Sequence, residues 1–198
     1  AKLDKTKFAL KDLNYFIPKL DKVSHNTFVV SGEVNGRINN LKGKDLEVHT
    51  GNRSVLKGDF YTRGLPVLNE TSINLRIDKL LTNVQDIRTI YPHAKYPEHF
   101  NELGNISFYG NFDGFISDFV TQGNLTTSIG SANSDINFKY NKETAKSAYS
   151  GNLALQGFDL GKWFGDTVNL GKVSLATKIN GTGIKLETLN AKLAGQVS

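Results

Sequence analysis

The sequence predicts an all-β fold: an elongated, curved antiparallel sheet with an open, apolar-lined groove, interrupted by short helices, the alternative being a closed β-sandwich. Three observations carry this. Apolar residues recur at every second position along most of the 198-residue chain, the period of a half-buried strand. Nineteen glycines against four prolines, with many Asn, Ser and Thr, supply the tight turns that short strands need. Helical spacing is confined to three short stretches, each following a strand and preceding a meander, so the chain reads as three copies of one unit.

The third copy, 153–198, is the most regular. Leu153 and Leu155 alternate as a strand, Asp159 opens a helical turn carrying Leu160, Trp163 and Phe164, and Gly165 closes it. Val173, Leu175, Thr177 and Ile179 then alternate, a Gly181-Thr182-Gly183 turn reverses the chain, and Leu189, Ala191, Leu193, Gly195 and Val197 alternate again. The first copy, 8–72, begins at Phe8 and places Leu13, Phe16, Ile17 and Leu20 at helical spacing before its strands. The second, 73–152, begins at Ile73; its helical turn reads as Leu80, Val84, Ile87 and Tyr91, with Thr82 and Gln85 as a capping box. Tyr91 to Leu103 stands outside the repeat as a surface insertion.

Partners of the alternating apolar positions are mostly Lys, Asn, Ser, Asp and Thr, which describes a sheet with one apolar and one wet face. About twelve strands at ~4.8 Å spacing give a sheet of roughly 55 to 60 Å. In a closed sandwich two such faces would cover each other. Units joined in series instead stack in one dimension and leave a trough whose exposed area, on the order of 600 Å², calls for an apolar occupant. Alternation assigns the lining to Val34, Ile38, Leu46, Val48, Ile73, Leu75, Ile106, Phe108, Phe112, Leu125, Ile129, Ile136, Phe138, Leu153, Leu155, Val173, Leu175, Ile179, Leu189 and Leu193, each subject to a one-residue slip of register.

Motifs for chemistry are missing. The chain has no cysteine, hence no disulfide and no thiol nucleophile. Gly165 to Lys172 (GDTVNLGK) departs from a phosphate loop by one extra residue and by Val173 where Ser or Thr must stand. His93, Glu98 and His99 cluster in the insertion without a standard metal-ligand spacing. Aspartates 113, 118 and 135 fall near turns, where Asp bonds its own backbone. No enzyme activity, cofactor or metal is therefore expected. The net charge of +5 is spread out, and Lys2, Lys5, Lys7 and Lys11 alternate with Asp4 and Asp12, which makes a solvated basic end and not a nucleic-acid stripe. No stretch reaches the ~18 apolar residues of a membrane-spanning helix.

The Phe158-Asp159-Leu160-Gly161-Lys162-Trp163 turn, the Gly171 to Val197 meander and, after them, Gly104 to Gly123 resemble segments of the TamB/AsmA-like proteins of Gram-negative bacteria, particularly those of Bacteroidota, and through them the bridge-like lipid-transfer proteins built from repeating β-groove units. The likeness spans most of the chain and has no catalytic signature. It implies a taco-shaped sheet in the periplasm holding phospholipid acyl chains between inner and outer membranes, with anchoring left to parts of a parent chain that lie outside this sequence. A second implied role is a scaffold for outer-membrane β-barrel protein assembly, through β-augmentation of an edge strand. A surface adhesin or carbohydrate-binding sandwich, the third class, would need aromatic platforms outside the alternating pattern, whereas most of the twelve Phe lie within it.

Overall fold

In the computed structural model, residues 1–9, 27–141, 144, 146–183 and 190–197 are described, with side chains through residue 183. They form one antiparallel sheet of eleven strands whose spatial order is their chain order. The strands are β1 (Lys2–Ala9), β2 (Thr27–Arg37), β3 (Asn40–Thr50), β4 (Ser54–Arg63), β5 (Ser72–Asn83), β6 (Asn105–Phe115), β7 (Asp118–Thr127), β8 (Gly130–Asn141), β9 (Lys146–Asp159), β10 (Lys172–Thr182) and β11 (Asn190–Val197). Two short helices follow β5 and β9: α1 (Val84–Ile90) and α2 (Leu160–Phe164). The sheet is curved and open, with β1 and β11 as its edges. Ten steps of ~4.8 Å make it about 48 Å long, shorter than about twelve strands would give.

Because the meander is uninterrupted, every connection falls on one of two borders. Ile38-Asn39, the segment 64–71 and Ile116-Ser117 lie on a turn border. The β3–β4 turn at 51–53, α1, the segment 91–104, Ser128-Ile129 and α2 lie on the opposite, helical border. Strands β1, β5 and β9 begin the three sequence copies and lie four strands apart, each running from the turn border to the helical one. The helical turn read at Leu13 to Leu20 lies outside the described residues.

Besides a bulge in β1 between Leu3 and Thr6, three bulges re-phase the alternation. One extra residue in β3 lies between Gly43 and Leu46, where Asp45 adopts φ of 51° and its N–H donates to Asp59 Oδ1 at 2.8 Å. Another in β5 lies between Ile77 and Leu80, and a third in β9 sits at Gln156-Gly157, before Phe158. Each puts residues of opposite sequence parity on the same face and increases the local twist.

Several sequence expectations are corrected. Leu80 belongs to β5, opposite Leu56 and Phe108, so α1 starts four residues later. The cap of α1 is Asn83, whose side chain accepts from the Asp86 N–H at 2.8 Å, and not a Thr82–Gln85 box. A β-region residue with a free side-chain carbonyl suits that role, while Thr82 is already a ladder residue bonded to Ser54. Gly181 and Thr182 end β10 in register with Tyr149 and Ala148 and do not form the turn. For α2 the boundaries agree: Asp159 accepts from the Lys162 N–H at 2.9 Å, and Gly165 closes the helix at φ 74°.

The insertion lies on the surface, as the sequence suggests, and is tied to the helical border. Tyr96 stacks on Phe100 at 4.7 Å and donates from its hydroxyl to the carbonyls of Ile87 and Tyr91. Arg88 lies over both rings and donates through Nε to Asn101 Oδ1 at 3.1 Å. Backbone bonds from Val84 to Gly104 and from Ser128 to Leu103 stitch the segment to the neighbouring connections, and it touches both α1 and α2. Val84, Ile106 and Ile129, three of the four buried hydrophobic residues among those described, lie here; the fourth is Val30. The packed core therefore runs along the helical border and not across the sheet.

Candidate functional site, an uncovered apolar sheet face

Directly paired residues of neighbouring strands point to the same face, so register alone assembles the site. One row runs Val30, Val48, Leu56, Leu80, Phe108, Leu125, Ala132, Leu155 and Leu175 from β2 to β10. A second holds Leu46, Gly58, Ile77, Gly110, Gly123, Ser134, Leu153 and Thr177. The third has Val34, Gly43, Phe60, Leu75, Phe112, Thr121, Ile136, Gly151 and Ile179, with the Leu193 backbone continuing it in β11. The fourth has Leu41, Thr62, Ile73, Gly114, Phe119, Phe138 and Tyr149. Ile106 is in register with Thr82 and Thr127, and Val173 with Phe158, at the helical end of the same face.

Of the predicted lining, Val34, Leu46, Val48, Ile73, Leu75, Ile106, Phe108, Phe112, Leu125, Ile136, Phe138, Leu153, Leu155, Val173, Leu175 and Ile179 fall on this face. Two do not line it as strand residues. Ile38 sits in the β2–β3 turn, 42% exposed, because Arg37 pairs with Asn40 and leaves it at the hairpin tip. Ile129 sits in the β7–β8 turn between paired Thr127 and Gly130, and is buried under the helical border. Leu189 lies outside the described residues. Sequence reading missed Leu41, Leu56, Phe60, Ile77, Leu80 and Phe119. The bulges hide Leu41 and Leu80; Leu56, Phe60 and Phe119 were legible as plain alternation within their own strands.

Among the described residues no second layer covers these rows. Apart from Val30 and Ile106 their large apolar side chains are half-buried, shielded by one another, and the two helices touch their own neighbouring strands and the 100–103 segment at the border. Phe112, Phe119 and Phe138 form a continuous aromatic strip with ring centroids 4.7 and 5.0 Å apart. The Phe108 ring lies on the glycine pair Gly110 and Gly123, where a Cβ on Gly123 would come within 2.5 Å of it. Tyr149 places a buried hydroxyl here with no hydrogen-bond partner among the described residues.

The other face is wet. Glu47 pairs with Lys57 at 2.8 Å and His49 at 2.7 Å, and the hydrogen bonds from Lys57 and then His49 hold its carboxyl below the usual range. Arg76 bridges Asp59 and Asp78, Lys139 meets Asp118, and Asn74 bonds Asp113. On this side Tyr109 is 55% and Val120 45% exposed, whereas Phe108 and Phe119, their chain neighbours, are half-buried on the apolar side. That asymmetry is what curvature toward the apolar face produces, since side chains on a concave surface crowd together.

One buried charge anchors the helical border. Asp86, 2% exposed, accepts from the backbone N–H of Asn52 at 3.1 Å and of Arg53 at 3.0 Å, and from the Ser54 hydroxyl at 2.8 Å. Burial pushes its carboxyl up, but the bonds from Arg53, Asn52 and Ser54 together outweigh it and hold the pKa below the usual value. It pins α1 to the β3–β4 turn.

No group of three or more His, Asp or Glu side chains gathers as metal ligands among the described residues. In the stretch resembling a phosphate loop the polar groups are spent internally. Asp166 accepts from the side-chain and backbone nitrogens of Asn169, which hold its carboxyl low, while the Leu170 N–H goes to the Asp166 carbonyl and the Asp166 N–H to Gly161. A recess of about 350 Å³ near the helical border is open and has a mostly apolar exposed lining, with Leu81 and Ile106 beside Arg53, Asn83, Asn105 and Thr127. Neither a family model, nor a curated protein, nor a solved structure matches the chain, so function rests on the geometry of the face.

Proposed function

We propose that this protein is a non-enzymatic conduit that holds phospholipid acyl chains in its apolar trough, in the periplasm, between inner and outer membranes. The observation that carries the reading is the uncovered face: apolar side chains in register across the strands, with no covering layer among the described residues. The resemblance to TamB/AsmA-like proteins supports the same ligand and compartment. A methylene moved out of water gains ~0.8 kcal/mol, so a sixteen-carbon tail is worth about 12 kcal/mol when fully buried and about half that in an open trough. Such attraction is non-directional, and the rows run without a charged residue from β2 to β10, so an acyl chain meets no large barrier along them. Headgroups stay in water. Lipid extracted from the purified protein and identified by mass spectrometry tests the reading: bound phospholipid is expected, and a lipid-free protein that takes none up from vesicles would refute it.

A second reading is favoured by the sheet's ends. β10 and β11 pair over eight consecutive residues without a bulge, from Leu175↔Val197 to Thr182↔Asn190, and β11 has no neighbour on its other side among the described residues. An unfolded outer-membrane strand would add there by β-augmentation. Saturable binding of a β-barrel-derived peptide by lipid-free protein supports this role; binding that appears only with lipid does not.

A further inference from the structure

One polar group in the trough has nothing to bond. The Tyr149 hydroxyl is shielded from water and makes no hydrogen bond among the described residues, although the residue as a whole is only half-buried. A donor left in that state is costly, and most buried hydroxyls have a partner. The other hydroxyls of the face show the contrast. Thr62, Thr121 and Thr177, the threonines of the four rows, each donate to a backbone carbonyl, of Leu41 at 3.5 Å, Asn111 at 3.0 Å and Lys178 at 3.1 Å. A threonine hydroxyl sits on Cβ and reaches its own or the next strand's backbone, whereas tyrosine carries its hydroxyl at the far end of a ring. Elsewhere in the molecule Tyr61 accepts from Arg63, and Tyr96 donates to the carbonyls of Ile87 and Tyr91.

Register places this group at the end of the aromatic strip. Tyr149 pairs with Phe138 on one side and Gly181 on the other, so the fourth row continues Phe119, Phe138, Tyr149. Toward the turn border the next pair on this face, Tyr140 and Ser147, bears two more hydroxyls. The rows hold no charged residue from β2 to β10, so an ionised ligand group here would lose its water without gaining a counter-charge. What suits the place is a neutral acceptor carried on an apolar chain. An acyl ester has that character: its carbonyl oxygen accepts a hydrogen bond, brings no donor of its own, and sits on the first carbon of the tail. With that oxygen at Tyr149, a tail laid over Phe138, Phe119 and Phe112 reaches β5 after four strand intervals, about 19 Å, close to the span of an extended sixteen-carbon chain.

We propose that the Tyr149 hydroxyl recognises the ester carbonyl of the lipid and so fixes where along the trough an acyl chain begins. The proposal rests on the reading of the trough as an acyl-chain site and adds a specificity-determining residue to it. The hydroxyl donates to the carbonyl oxygen once a chain settles among the side chains that shield it, which no second layer among the described residues holds down. Preference for an ester over an ether follows, since a dialkyl lipid has the same tails and headgroup without the carbonyl.

The test is competition of dihexadecanoyl and dihexadecyl phosphatidylcholine against a bound fluorescent phospholipid, in wild type and in Tyr149→Phe. Wild type is expected to prefer the diacyl lipid about fivefold, the ratio that one neutral hydrogen bond supports. Tyr149→Phe keeps the ring, so it should bind the dialkyl lipid like wild type while its preference for the ester falls below about twofold. The infrared carbonyl band of the bound diacyl lipid should lie at lower frequency in wild type than in the variant. A merely structural role for Tyr149 would weaken both lipids together and lower the melting temperature of Tyr149→Phe, and that result would overturn the proposal. So would equal binding of the two lipids by wild type, an ester preference that survives in Tyr149→Phe, or identical carbonyl bands, each of which leaves the trough reading in place. Failure of wild type to bind either lipid would remove the trough reading and this proposal with it.

Discussion

Replacing Asp86 with alanine should undock α1 from the β3–β4 turn. The carboxylate receives three hydrogen bonds, from Asn52, Arg53 and Ser54, at a site 2% exposed, so the substitution strands three donors that water reaches poorly. Hydrogen bonds to a charged group contribute about 1.5 to 3 kcal/mol each, and taking the lower figure because the two amides belong to a turn near the border gives a loss of about 4.5 kcal/mol. At roughly 2 to 4 °C per kcal/mol for a chain of this size, the melting temperature falls on the order of 10 °C. The charge also sets a pH signature. Because the folded-state pKa lies below its ordinary value of 3.8, the contribution is complete above that value and disappears as pH falls through the lower folded pKa. Urea denaturation followed by circular dichroism at neutral and strongly acidic pH reads both effects: wild type and Asp86→Ala should differ by several kcal/mol at neutral pH and converge in acid. A difference at neutral pH below about 1 kcal/mol would refute the argument, since it would mean that water replaces the carboxylate at little cost.

Further outcomes follow from the same geometry. Gly51→Ala should cost at least about 2 kcal/mol in a denaturation curve, because Gly51 adopts φ of 59° and a Cβ there would lie 2.6 Å from the Asp86 carboxyl carbon. Tyr149→Phe removes a buried hydroxyl without a partner among the described residues, so stability should hold or rise by up to about 1 kcal/mol, and a marked loss would show that the hydroxyl is bonded. Asp159→Ala takes the cap from α2 and should cost about 1 kcal/mol, restored in large part by Asp159→Asn. Trp163→Ala should cost about 2 kcal/mol, below the 3 to 5 expected of a fully buried indole, because Trp163 is only half-buried.

Alternation made the architecture legible wherever a strand is unbroken. β6, β7, β8 and β10 keep one parity from end to end, and there Phe108, Phe112, Leu125, Ile136, Phe138 and Leu175 lie on the predicted face. Where a bulge intervenes the pattern misleads: Leu80 looked helical because Asp78 shifts it out of phase with Ile77, and nothing in DKLLTNV marks the extra residue before pairing is known. Ile38 and Ile129 share a different cause. Both continue a period-2 run by one step too many, into a turn that the neighbouring Asn39-Asn40 and Gly130 supply. The anchoring role of Asp86 was not readable, since its three donors come from a turn more than thirty residues away. The same holds for the 91–103 segment, whose composition suggests a loop while the Arg88, Tyr96 and Phe100 stack folds it onto the border.

The account stands or falls on whether the uncovered face takes up acyl chains. Phe108 and Leu175 lie in the same row, four strands apart, roughly 19 Å along the trough. Titrating a fluorescent phospholipid into wild type, Phe108→Asp and Leu175→Lys, with circular dichroism to confirm the fold, is the most direct measurement. The account predicts saturable uptake by wild type and at least a tenfold weaker uptake by both charged variants, since a charge placed in the row must be desolvated or must exclude the chain. Folded variants that take up lipid as well as wild type, or a wild type that takes up none, would contradict it.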